Sequence, residues 1–177
     1  SFPMVVGQQV VGTLSLADAP AQSCVGDVAA ALDEAVLATS AYLLGLTERA
    51  FAMTLDYLTT RKQFGRPIGS FQALQHRAVD LRIQIALTRA SVESAAATFD
   101  SGPTPQVRQA AASRAKARAA ETALLVARQA IQLHGAIGYT WEQDLHLWMR
   151  RAWSLDRDFG DATFHLDRVS AFVLTSG

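Results

Sequence analysis

Three long stretches of helical periodicity, each closed by glycine and the first two also by proline, constrain this chain more than any other feature. After Gly26, Asp27 is placed to cap a first helix. Within it Leu32, Val36, Leu43, Ala50 and Met53 recur at steps of three, four or seven and share one face. Gly65 reads as the stop, and Pro67 keeps the helix from resuming. Ser70 is the expected cap of a second helix over 71–99, with Leu74, Val79, Leu81, Ile85 and Val92 as core positions. "DSGPTP" then breaks the chain, and Thr104-Pro105 pairs an N-cap with a proline in the first turn of a third helix, ending near His134. "HGAIGYT" closes that helix. A shorter one is expected over 141–155 and a last one up to about Val173, with Asp158 and Asp161 as caps. Three long helices and two short ones predict an all-α, antiparallel four-helix-bundle type of domain.

The first residues differ from this body. Val5-Val6 and Val10-Val11, set among Gly7 and Gly12, read as one or two short strands before the turn "ADAP". The expected organisation is a β remnant and linker over 1–26 and a helical bundle over 27–177, the chain being a piece of something longer. Arg108, Arg114, Lys116, Arg118 and Arg128 on the third helix are expected to form a solvated face.

The 177 residues carry 16 basic and 16 acidic side chains. That balance argues against nucleic acid as a partner, which a basic surplus would signal. Charged residues interrupt the apolar runs, so no membrane span is expected. Cys24 is the only cysteine and cannot form an internal disulfide, which fits a reducing, cytoplasmic setting. The four histidines lack carboxylate or cysteine companions at ligand spacing, so no metal site is expected.

Two turn stretches carry chemistry. "RKQFGRPIGSFQ" (61–72) holds the planar donor fork of Arg61, the amide of Gln63 and the flat rings of Phe64 and Phe71 around Gly65. By itself it is either a capped turn or a cradle for an anionic, planar ligand. "QLHGAIGYT" (132–140) places Gln132, His134, Gly135 and Gly138 at another helix end, where a ligand could lie on exposed backbone. His134 alone reads as a helix C-terminal residue facing carbonyls.

Taken together the two stretches resemble the acyl-CoA dehydrogenase family. "RKQFGRPIGSFQALQHRAVDL" is similar to the family's R-x-Q-F-G-x-P-I-x-x-F-Q segment. "QAIQLHGAIGYTWEQDLHLWMRRA" is similar to its Q-x-H-G-G-x-G-Y-T segment, and "GTLSLADAPAQSCVGD" to the exit from its middle β-domain. The resemblance implies the C-terminal helical domain of an FAD enzyme that oxidises acyl-CoA thioesters to 2-enoyl-CoA, in fatty acid or sterol catabolism. It also implies a homo- or hetero-oligomer through the bundle and an electron-acceptor flavoprotein as redox partner. Arg61, Gln63, Phe64, Ile68, Phe71 and Gln72 would touch the adenosine-pyrophosphate half of one FAD. Gln132, Gly135, Ala136 and Gly138 would meet the ADP part of the FAD shared with a neighbour, Ala136 standing where a second glycine is usual. Asp33 would meet the acyl-CoA, although Val36 occupies a position where arginine is common.

The family's catalytic glutamate has two alternative positions. By the match they fall on Phe159 and Ala35, neither of them a carboxylate, with Glu34 beside the second. A one-residue step turns a side chain by about 100° around a helix, so Glu34 is a poor substitute. Three readings stay open: an enzyme whose base lies elsewhere, a non-catalytic subunit completing another chain's FAD site, and an assembly bundle that binds no flavin.

Overall fold

The computed structural model describes residues 2–6, 9–14, 21–139 and 144–176. An antiparallel pair, β1 (Phe2–Val6) and β2 (Gln9–Leu14), leads into α1 (Ala21–Thr60). A two-residue ladder follows, β3 (Lys62–Gln63) on β4 (Arg66–Pro67), then a 3₁₀ turn over Ile68–Ser70 and α2 (Gln72–Asp100). The chain continues through α3 (Pro105–His134), a 3₁₀ turn over Gly135–Tyr139, α4 (Leu145–Arg157) and α5 (Ala162–Ser176).

The centre of the bundle is α3, which packs on α1, α2, α4 and α5. Its sequence explains why it can. Ala112, Ala115, Ala119, Ala120, Ala123, Val126 and Ala130 are all buried. Small side chains on several faces let neighbouring helices approach closely, while alanine keeps helix propensity high. Leu44, Phe51, Leu58, Leu81, Ile85 and Val92 supply the larger core volumes, each buried side chain worth about 1.5–3 kcal/mol. A second cluster, Leu43 and Leu46 with Ala152 and Leu155, ties α1 to α4 across α3.

Several expectations need correction. Helix α1 begins at Ala21, upstream of Asp27, and takes Gly26 into its interior, where glycine costs about 1 kcal/mol relative to alanine without ending the helix. The helix therefore runs through the boundary expected between residues 26 and 27. It also ends at Thr60, before Gly65. Phe64 and Gly65 both have positive φ (53° and 78°), the requirement of a two-residue hairpin turn, so this segment folds back as β3–β4. Ser70 does not cap α2. Phe71 occupies the cap position, and the Ser70 hydroxyl donates to the Pro67 carbonyl at 2.8 Å. Residues 141–143 lie outside the described residues, and α4 is described from Leu145.

Leu32 and Val79, expected in the core, are 50% and 57% exposed. Val79 lines an open groove with Leu55 between α1 and α2. Lys116 is the largest departure. It is fully buried, whereas Arg114 and Arg128 face solvent as expected. By length and composition, Gly26–Thr60 is apolar enough to cross a membrane, contrary to the expectation. Here its Leu43, Ala50, Phe51 and Leu58 pack inside the bundle. Thr104 behaves as expected, its hydroxyl accepting from the Val107 N–H at 3.4 Å.

Candidate functional site

The two turn stretches meet. Arg61, Gln63 and Ile68 from the first, and Gln132, Gly135 and Ala136 from the second, line one open cleft of about 300 Å³. Tyr57, Leu133, His134 and Ile137 complete its lining. Two observations explain how the chain holds this geometry. The hairpin is locked to the end of α1 by the Ile68 N–H donating to the Arg61 carbonyl at 2.8 Å. On the other wall, Gly138 is pressed against the last turn of α3. A Cβ there would come within 2.8 Å of the Ile131 carbonyl oxygen, so only glycine lets the 3₁₀ turn pack this tightly.

The polar groups of the cleft are available for a ligand. Arg61 and Gln63 are exposed, and Arg61 makes no ion pair among the described residues. His134 is buried and stacks on Tyr57 with ring centroids 4.4 Å apart. Its Nδ1 lies 2.8 Å from the Ala130 carbonyl and donates to it, which leaves Nε2 as an acceptor; that atom is buried without a partner among the described residues. The reading of His134 as a helix-end residue facing carbonyls holds, and its position in the cleft adds a role that residue type alone did not show. Tyr57 was missed altogether, although it stands one helical turn before Arg61.

The remaining residues of the first stretch sit beside the cleft. Phe64 projects from the hairpin tip and is 89% exposed. Behind it Phe71 packs edge-on at 6.1 Å and carries the Arg66 guanidinium at 4.1 Å from its ring centroid. Gln72 is exposed at the start of α2.

Asp33 lies elsewhere. It is buried between Arg108 of α3 and Arg168 of α5, each 3.5 Å away. Burial pushes its carboxyl up from the usual aspartate range, and the two guanidiniums only partly pull it back. The triad joins three helices that the sequence could not bring together. Arg108 and Arg168 had no signal, the first because it looked like part of a solvated face. Glu34 is half-buried one position along α1. Phe159 is half-exposed in the turn between α4 and α5 with φ 62°. Asp161 caps α5 as expected, accepting from the Phe164 N–H at 2.9 Å, while Asp158 occupies the C-cap of α4.

Over residues 25–174 the chain matches one family model, the acyl-CoA dehydrogenase C-terminal domain. The chain belongs to the acyl-CoA dehydrogenase family as that domain. It is 44% identical over 120 residues to the acyl-CoA dehydrogenase IpdE2 of Mycobacterium tuberculosis, across 68% of this chain and 35% of that protein. Among solved structures it superposes on the Tcur3481-Tcur3483 steroid ACAD with a TM-score of 0.79 and 30% identity, covering 85% of this chain and 41% of that one. The ChsE4-ChsE5 complex from Mycobacterium tuberculosis gives a TM-score of 0.74 at 28% identity, over 87% and 40% of the two chains. This chain thus spans about a third of the length of IpdE2 and about two fifths of the two solved chains.

Proposed function

We propose that the chain is the C-terminal FAD-binding and oligomerisation domain of a flavoprotein that oxidises an acyl-CoA thioester to its 2-enoyl-CoA. The observation that carries this reading is the meeting of Arg61–Gln63 and Gln132–Ala136 in one cleft. The donor set fits the ADP half of the cofactor. Arg61 offers a fork for the pyrophosphate, Gln63 and Gln132 offer amides, and the unpartnered His134 Nε2 can accept from a ribose hydroxyl or an adenine amino group. Ala136 narrows the approach by one methyl group. Because both stretches line the same cleft, they are read as holding one nucleotide rather than two. When bound, FAD supplies the two-electron acceptor for the oxidation. In the longer protein carrying this chain, Arg61→Ala is expected to lower the flavin content of the purified protein, since a charge-assisted bond is worth about 1.5–3 kcal/mol. Unchanged flavin content would defeat the reading.

Oligomerisation has its own support. On α2 Val79, Ile83 and Leu87 form a stripe at four-residue spacing, all about half exposed, and Ile83 shares a groove with Leu125 of α3. An apolar stripe of this kind marks a contact surface. A flavin-free assembly bundle would leave the cleft without a purpose, so it is the weaker alternative.

The second reading is a non-catalytic subunit in a hetero-oligomer. It is favoured by Phe159 and Ala35, which stand where the family places its glutamate, and by the likeness to a two-component complex. Without a carboxylate within reach of the α-proton, general base catalysis by this chain is lost. Turnover of the assembled complex is then expected to survive Glu34→Gln and to vanish when a partner subunit loses its glutamate. Loss of turnover in Glu34→Gln, with flavin and fold intact, would return the base to this chain.

A further inference from the structure

Lys116 is fully buried at the middle of α3, where four neighbouring positions are alanine or serine. Its ammonium donates to two main-chain carbonyls, Asp156 at 2.9 Å and Gly160 at 3.0 Å. Asp156 lies in the last turn of α4, whose carbonyls have no partner within the helix and carry the negative end of its dipole. Gly160 lies on the far side of the turn that leads to α5. One cation from a third helix therefore closes both ends of the segment 156–160.

That segment is unusual in its backbone. Phe159 and Gly160 both have positive φ, 62° and 107°. A phenylalanine in this region costs on the order of 1–3 kcal/mol and persists only when its surroundings over-determine it. The Gly160 N–H is taken by the Arg157 carbonyl at 3.2 Å, while no hydrogen bond takes the Phe159 N–H among the described residues. Asp161, capping α5, fixes the other flank. Burial lowers the pKa of Lys116, and the nearby Asp156, Asp158 and Asp161 resist that loss of charge.

We infer that Lys116 is a positioning residue, which holds the Phe159–Gly160 turn in its left-handed conformation and so presents the free Phe159 N–H at a fixed place. That this N–H is aimed at the thioester carbonyl rests on the reading under Proposed function, which puts Phe159 at the family's base position. The pin itself does not depend on that reading.

The test uses the longer flavoprotein carrying this chain, in the forms Lys116→Met, Phe159→Asn and the two combined. Trypsin cleavage after Arg157 is expected to run about ten to a hundred times faster in Lys116→Met, the opening that loss of charge-assisted bonds permits. Asparagine tolerates positive φ, so Phe159→Asn in the Lys116→Met background is expected to slow that cleavage again. A lysine that only fills core volume would lower the melting temperature without selective cleavage at Arg157 and without rescue; either result overturns the proposal. If Lys116→Met does not fold, Lys116→Gln is read in the same way. Hydrogen exchange at the Gly160 amide of the unaltered protein serves as a further check, and exchange at free-turn rates would overturn the pin. Crotonyl-CoA affinity separates the two claims. Weakening in Lys116→Met supports both, whereas selective cleavage with unchanged affinity keeps the pin and removes the thioester from Phe159.

Discussion

Lowering the pH from 7.5 to 5 should cost this domain about 2 kcal/mol of stability through one residue, His165. The imidazole is fully buried on α5, with its Nδ1 3.2 Å from the Ser113 hydroxyl. Burial first, then the Lys116 and Arg168 cations, lower its pKa from 6.5 to about 4, while the Phe159 backbone and Asp161 resist. The sign follows from linkage. Between pH 4 and 6.5 the unfolded chain binds a proton that the folded chain refuses, so stability rises with pH across this window. It is fully present above 6.5 and lost by about pH 4. The complete effect is about 3 kcal/mol, of which about 2 is lost at pH 5. Asp33 acts in the opposite sense, since its carboxyl is raised and the folded state takes up its proton first. A comparison of variants removes that contribution. Urea unfolding followed by circular dichroism at pH 5, 6 and 7.5 should give a steep slope for the wild type and a shallow one for His165→Gln. Parallel slopes would refute the argument.

Gly138→Ala places a Cβ 2.8 Å from the Ile131 carbonyl and should destabilise by about 1–3 kcal/mol, read as a lower melting temperature. Removal of the α3 cap by Thr104→Ala should cost about 1 kcal/mol in urea unfolding, and no change would mean that the 3.4 Å bond contributes nothing. Asp33→Asn replaces a carboxylate whose burial outweighs its pairing with the Arg108 and Arg168 guanidiniums. Little loss or a small gain in stability is therefore expected by the same assay, and a loss of about 2 kcal/mol would show that the pairing outweighs burial.

The long helices were legible because each repeats its apolar positions over many turns and ends in residues with a physical reason to end it. Thr104-Pro105 is the clearest case. The hairpin at 62–67 was not legible, since two-residue strands have no periodicity and a glycine after a helix reads equally as a stop. The positive φ of Phe64, which reveals the turn, has no signature in phenylalanine itself. Lys116 misled for a related reason. A charged residue on a helix belongs by rule to the solvent face, and only the distant carbonyls of Asp156 and Gly160 allow it inside. The candidate site was legible in parts: each stretch showed its donors and its glycine turn, but Arg61 and Gln132 are joined only by folding. The same holds for Asp33, whose partners come from α3 and α5.

The central claim is that Arg61 and Gln132 hold one nucleotide in one cleft. FAD dissociation constants for the longer protein in a double-variant cycle, Arg61→Ala, Gln132→Ala and the two together, test it most directly. Arg61→Ala should weaken binding about tenfold or more, and the two losses should couple by at least about 0.5 kcal/mol, as side chains sharing one ligand do. Unchanged affinity in Arg61→Ala, or two losses that simply add, would contradict the account.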